Sequence, residues 1–328
     1  MNRGLLPLCA AVILLGQGCF APPSSVPLAN ITATPTVTPD GAVAFREGFG
    51  KLPGSAPSHL NGAQPSAVLT TDLPPIPSDV TVLREWDTTP DTNLLRNITT
   101  ALGVPSGTFG AAPQTRALSL SWDDGAGYRW VYNAPIHVLS ATRLLPPASP
   151  FTGEAAQVRA QILTTADDFL SAHGIQMAGW GLPTVHTSSS GAWRVTYAAS
   201  RDEQTVAHAN STSLLAGTLE GIGDAVMQAS LELPRSLDRS NYPALAQGEV
   251  LRRLRAGGIN PLPPLPAGAS IAFESFQFVL YRHEGTLAGK TRVFYIPALQ
   301  AQGTLRQGGT HSPYTTLVPL VPDETFGQ

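Results

Sequence analysis

Apolar residues recur along this chain with two different periods, and the alternation between those periods is its main organising signal. Thr89-Pro90-Asp91 has the features of a helix start: Thr caps, Pro suits the first turn, and Asp meets the positive end of the helix dipole. Leu94, Leu95, Ile98, Ala101 and Leu102 then fall on one stripe, and Gly103 stops the helix. Ala155, Val158, Ile162, Ala166 and Phe169 form a second stripe ending at Gly174. A third helix is expected to open at Pro243, to turn Leu245, Val250, Leu251 and Leu254 inward, and to close at Gly257-Gly258. The three ends share one signature: A-L-G-V at 101–104, A-H-G-I at 172–175 and A-G-G-I at 256–259. A left-handed glycine followed by a β-branched residue that packs back on the last turn accounts for it.

Period-two segments follow each helix. Residues 117–132 read as a hairpin turning at Asp123–Gly127, and A-W-R-V-T-Y-A-A at 192–199 alternates. Residues 205–219 and 225–233 look like further strands. Residues 271–281 and 292–303 flank a turn around Gly285–Lys290, and Pro297 implies a bulge or an edge. The expected fold class is therefore α+β, with tandem units of one helix packed on a curled antiparallel sheet at 79–148, 149–235 and 236–328.

The N-terminal quarter is different. Residues 20–77 hold 11 prolines among Ser, Thr, Ala and Gly, which suits an extended tether, with 41–50 as a segment that could dock as a strand. Before it, Arg3 precedes an apolar run from Leu5 to Leu15. Eleven helical residues span about 16 Å, too short for a hydrocarbon core of about 30 Å. Positive start, short apolar run and small residues describe an export signal over 1–18. Gly16 and Gly18 permit a cut between Gly18 and Cys19.

That stretch, I-L-L-G-Q-G-C-F at 13–20, resembles the bacterial lipobox, although Gly16 stands where the pattern prefers Leu. The resemblance implies a lipid on Cys19 and a tether over 19–78 on the outer face of a cell or outer membrane. Ordinary secretion after the same cut and an uncleaved anchor are the alternatives. Cysteine usage favours the lipid. Cys9 leaves with the signal, so Cys19 has no partner for a disulfide.

Composition narrows the function classes. Charged residues make up 13% of the chain against a usual figure of about 25%. Loss of the signal removes Arg3, leaving 19 basic and 23 acidic side chains, a net charge of −4. Nucleic-acid binding, which needs a concentrated basic surface, is not expected. The order helix, Gly-capped end and curled sheet resembles the small α+β modules of the PepSY and cystatin-like type. The third unit is the most similar, with N-Y-P-A-L-A-Q-G-E-V-L-R-R-L leading to F-V-L-Y and F-Y-I-P-A-L-Q-A-Q-G. That resemblance implies an extracytoplasmic protein with a binding or regulatory role and supplies no catalytic residues.

The chain carries few motifs with chemistry. The seven histidines show no helical ligand spacing, and neither H-E-x-x-H nor C-x-x-C occurs, so no metal or cofactor is expected. His283-Glu284 reads as a solvated pair in a hairpin turn. G-x-S-x-G and S-x-x-K are absent, and Ser188–Gly191 reads as a turn. Asp123-Asp124-Gly125 could hold a hard cation, but Asp-Gly between alternating strands is first a turn signal. Asp167-Asp168 reads as first-turn dipole complementation, Asp202-Glu203 as a hairpin tip, and G-I-G-D-A-V at 221–226 as a turn between strands. Trp122 and Trp130 fall on facing strands and are the candidate binding surface if that face is exposed. The expectation is a non-enzymatic, membrane-anchored lipoprotein binding an envelope or membrane protein. An extracytoplasmic hydrolase with a site between units is the alternative, and a passive spacer is a third reading.

Overall fold

The computed structural model describes residues 36–37, 43–44, 49–57, 66–85, 100, 119–133, 136–146, 148–175, 179–233, 237–259, 268–287 and 290–327. The first expected helix apart from Thr100, with Gly103, and the export signal with Cys19 lie outside them. The strands in chain order are β1 (Thr36–Val37), β2 (Val43–Ala44), β3 (Ser66–Leu69), β4 (Asp79–Glu85), β5 (Ser119–Asp123), β6 (Tyr128–Asn133) and β7 (Val138–Arg143). After helix α1 (Ala155–Ala172) come β8 (Trp180–Thr187), β9 (Ala192–Arg201), β10 (Gln204–Ala207), β11 (Leu215–Ile222), β12 (Ala225–Glu232) and β13 (Leu237–Pro243). Helix α2 (Gln247–Arg255) precedes β14 (Ser270–Leu287), β15 (Lys290–Gln307) and β16 (Thr310–Pro319).

Fourteen of these strands form one mixed sheet in the order β13-β4-β15-β14-β10-β9-β11-β12-β7-β6-β5, with β16 on β15, β3 on β14 and β8 on β9. This overturns the expected α+β class of tandem helix-on-sheet units: the described residues are nearly all β, with two α-helices. Pairing crosses the expected unit boundaries. β7 pairs with β12 (Leu139↔Leu231), β4 with β13 and β15, and β10 runs parallel to β14 (Val206↔Leu280). Alternation along a strand says which residues share a face, but not which strand lies beside it. β14 and β15 are also longer than the segments visible as alternating sequence, at 18 residues each.

The described helices bury most of the faces their stripes imply, although Ala155 is exposed, Leu251 is half-buried and Leu245 precedes its helix. In α1, Ile162, Ala166, Phe169 and Leu170 are buried against an aromatic sheet face that includes Trp130, Trp193 and Tyr197. Full burial of side chains such as Ile162 or Phe169 contributes about 1.5–3 kcal/mol each. α2 begins at Gln247, four residues after Pro243, which instead ends β13. Val250 and Leu254 are buried in a second core together with β14–β16 residues. A smaller core of Leu83, Ala199, Val206, Ala216, Leu280 and Tyr295 lies where β10 links the two.

Both helices end in the double hydrogen-bond pattern of a Schellman cap. Ile175 N–H donates to Leu170 O (2.9 Å) and Gly174 N–H to Ser171 O (3.1 Å). Gly258 N–H donates to Arg253 O (2.9 Å) and Gly257 N–H to Leu254 O (2.8 Å). The shared signature is thus offset by one residue: the first left-handed position is Gly174 in one helix and Gly257 in the other.

Two details show how the sheet absorbs irregular sequence. Pro297 sits inside β15, opposite Leu280, at the point where β4 pairing ends at Tyr295 and β16 pairing begins at Ala298. A residue without an N–H costs nothing where neither neighbour needs one. Within the Pro-rich stretch, Phe49–Pro57 and β3 pack on the sheet. Leu52 is fully buried, donates to Thr325 O (2.9 Å) and accepts from Gly327 N–H (2.7 Å).

Candidate functional site: a charged cleft at the sheet junction

Period-two alternation decides which side chains line the cleft. In β14 and β15, Arg282 lies opposite Tyr295 and Glu284 opposite Val293, and in β4 Leu83 lies opposite Tyr295. Opposed residues share a face, so Leu83, Glu85, Arg282, Glu284, Val293 and Tyr295 point one way. Tyr281, His283 and Phe294 point the other way, where Tyr281 and Phe294 enter the core around α2. On the second sheet region, Thr218 opposes Ser230 and Glu232 opposes Val138, on the face away from α1. The two faces enclose a cleft of about 640 Å3.

A buried polar network forms its base. Tyr295, fully buried, donates its hydroxyl to Glu85, which is 5% exposed. The Arg201 guanidinium stands 5.5 Å from the Tyr295 ring centre and 3.6 Å from Glu232 Oε1. Its Nη1 also donates to Ser200 O (2.9 Å) and Gly179 O (3.3 Å). Burial drives the Tyr295 phenol far above its ordinary pKa, and the adjacent Glu85 charge adds to the shift. Nearer the opening, Arg282 pairs with Glu284. His208 is held below its usual pKa, first by burial and then by the Arg282 charge. The half-exposed side chains of Ile136 and Leu215 form an apolar rim. Desolvated charges are tolerable only when paired and hydrogen-bonded, and that condition is met here. The arrangement suits binding: paired charges fix orientation, and the apolar rim supplies area to cover.

The residues singled out from sequence fall elsewhere. Trp122 and Trp130 do lie opposite one another, with ring centres 6.5 Å apart and planes at 13°. Trp130 is fully buried and Trp122 is 8% exposed, so the pair is core and not an open surface. Asp124 serves the turn, accepting from Ala126 N–H (2.7 Å) and Tyr128 N–H (3.0 Å), and it also accepts from Trp130 Nε1 (2.9 Å). Those hydrogen bonds hold its pKa below the ordinary value against the opposing effect of burial. Asp202 and Glu203 occupy the β9–β10 turn, both with positive φ. Asp167 and Asp168 are exposed and lie well past the first turn of α1. His283 is no solvated turn residue. It is buried, and its Nε2 donates to Pro53 O at 2.8 Å. His173 Nδ1 donates to Phe169 O (2.7 Å) at the end of α1.

Sequence reasoning missed Glu85, Arg201, Glu232 and Tyr295. The available signal was faint: a charge as the last residue of β4, β9 and β12, as in D-V-T-V-L-R-E, A-A-S-R and A-S-L-E, and nothing that marked Tyr295 inside β15. Among the described residues no group of three or more His, Cys, Asp or Glu is arranged to hold a metal ion, and no helix is long and apolar enough to cross a membrane.

The chain matches no protein-family model and no curated protein. It is similar to the crystal structure of an uncharacterized protein from Eubacterium rectale, at 6% identity over 75% of this chain and 84% of that one, with a TM-score of 0.37.

Proposed function

We propose that the protein is a lipid-anchored, extracytoplasmic bacterial binding protein whose cleft engages a protein partner of the envelope or membrane. Attachment rests on Cys19, which follows a short apolar run and two small residues and precedes a Pro-rich stretch. The observation that carries the binding reading is the cleft: Glu85 with Tyr295, Arg201 with Glu232 and Arg282 with Glu284 are already paired, below an apolar rim. Groups committed to one another orient a ligand.

The test places a photo-crosslinking residue at Leu215 or, as a control, at the exposed Gln307, in cells expressing the full chain. Position 215 is expected to give one discrete membrane-fraction adduct, lost in a Glu232→Gln, Arg282→Gln double variant. Equal labelling from both positions overturns the cleft as the binding surface. A Cys19→Ser variant should leave the membrane fraction, and its retention there would overturn the anchor. The hydrolase alternative would gain if purified protein cleaved envelope substrates and the double variant lost that activity.

A further inference from the structure

A second crevice, also of about 640 Å3, opens between α1 and the β8–β9 hairpin, and its lining includes Asp167, Trp180, Tyr197, Asp202 and Glu203. Tyr197 is 1% exposed, and its hydroxyl has no hydrogen-bond partner. A buried donor-acceptor left unmade is costly and points to something that completes it. The Trp180 ring lies 5.0 Å from the Tyr197 ring at 45°, and Gly217 makes room for it: a Cβ there would stand 2.8 Å from the indole. The partly exposed Trp180 ring thus borders the space, with the buried Tyr197 ring behind it. Its charge is negative. Asp202 is neutralised by Arg239 at 2.5 Å, and the nearby Arg201 is committed to Glu232, which leaves Asp167 and Glu203 at the mouth. Burial, with the Asp167 charge second, pushes the Tyr197 phenol up to about 12, so it stays a neutral hydroxyl.

We propose that this crevice binds a small organic cation bearing N–H donors, a primary alkylammonium, with the Tyr197 hydroxyl accepting from the ammonium, Trp180 offering its π face and Asp167 and Glu203 supplying countercharge. Each component answers to a separate part of the ligand: the hydroxyl oxygen can accept from an ammonium N–H, an aromatic face favours a cation, and carboxylates at the mouth raise its local concentration.

The probe is 1,5-diaminopentane, titrated calorimetrically into the folded chain, with tetramethylammonium as a charge control lacking N–H and 1-pentanol as a neutral control. The diamine is expected to bind at least about tenfold more tightly than either control. Tyr197→Phe keeps the ring and deletes only the unpartnered hydroxyl, so the variant should fold with an unlowered Tm yet bind the diamine about tenfold more weakly. Asp167→Asn, on the exposed side of α1, should weaken binding similarly. No diamine binding at concentrations of about 1 mM, equal binding of tetramethylammonium, or native-like binding in either variant overturns the proposal.

Discussion

Arg253 shows how one polar side chain can hold two distant parts of this chain together. It is 5% exposed on α2, and it donates to Glu249 (2.9 Å) one turn earlier and to Asp323 (2.9 Å) beyond β16. Removing one partner of a buried pair can cost several kcal/mol, but Glu249 and Asp323 are partly exposed and can rehydrate. Arg253→Ala is therefore expected to cost about 1–2 kcal/mol in urea unfolding. Arg252→Ala, whose side chain is 68% exposed, should change stability by less than about 0.5 kcal/mol. The pH dependence follows from the same kind of local chemistry. Hydrogen bonds from Arg252, then Arg253, hold Glu249 at about 2, so its contribution is present above its ordinary value of 4.5 and disappears as pH falls toward 2. His283 is also lowered, by burial, while its bond to Pro53 and the Glu284 charge oppose the shift. Burial of the neutral ring stabilises above the ordinary value of 6.5 and is lost as pH falls through the lower folded value. The Tm is expected to decline first below pH about 6, and a His283→Gln variant should reduce that first decline, to which the lowered His208 also contributes, while leaving the more acidic one.

At the scale of elements, the docked segment Lys51–Gly54 makes a sharp test. It lies between the C-terminal turn and β14, and a Cβ on Gly285 would stand 2.4 Å from the Pro53 carbonyl oxygen. Gly285→Ala should lift this segment without breaking β14–β15 pairing. Faster hydrogen exchange at Leu52 and Gly327, with unchanged exchange at Tyr281 and Ile296, is the expected result. Uniform acceleration would mean that the segment is not separable from the sheet. Such docking was not legible in the sequence, because Lys51-Leu52-Pro53-Gly54 has no periodicity and its partners lie far away in the chain, 230 residues for His283 and Pro53 and farther still for Leu52 with Thr325 and Gly327. Local features were legible. The α1 stripe, the left-handed Gly174, the Asp123–Gly127 turn and the alternation in β9 depend only on neighbouring residues. The fold class was misread because three similar helix ends suggested repetition, while strand partners are chosen by faces distant in sequence. The cleft was missed for the same reason: Glu85, Arg201, Glu232 and Tyr295 each come from a different strand.

At the largest scale, among the described residues, one fourteen-stranded sheet joins two large cores, and the small core around Leu280 and Tyr295 is the coupling between them. β10 contributes only four residues, pairing with β9 on one strand and β14 on another. If that linkage is energetically continuous, the two cores unfold together, unlike tandem units that each carry their own core. Calorimetry is expected to show a single transition whose van't Hoff and calorimetric enthalpies agree. Leu280→Ala, at a side chain 2% exposed, removes contacts on both sides of the junction and should cost about 2–5 kcal/mol. Because the cleft floor rests on the same residues, this substitution should also weaken partner crosslinking from position 215. Two separated transitions in the native chain, with Leu280→Ala shifting only one, would show that the cores fold independently and that the cleft is a contact between them, not a feature of one continuous sheet.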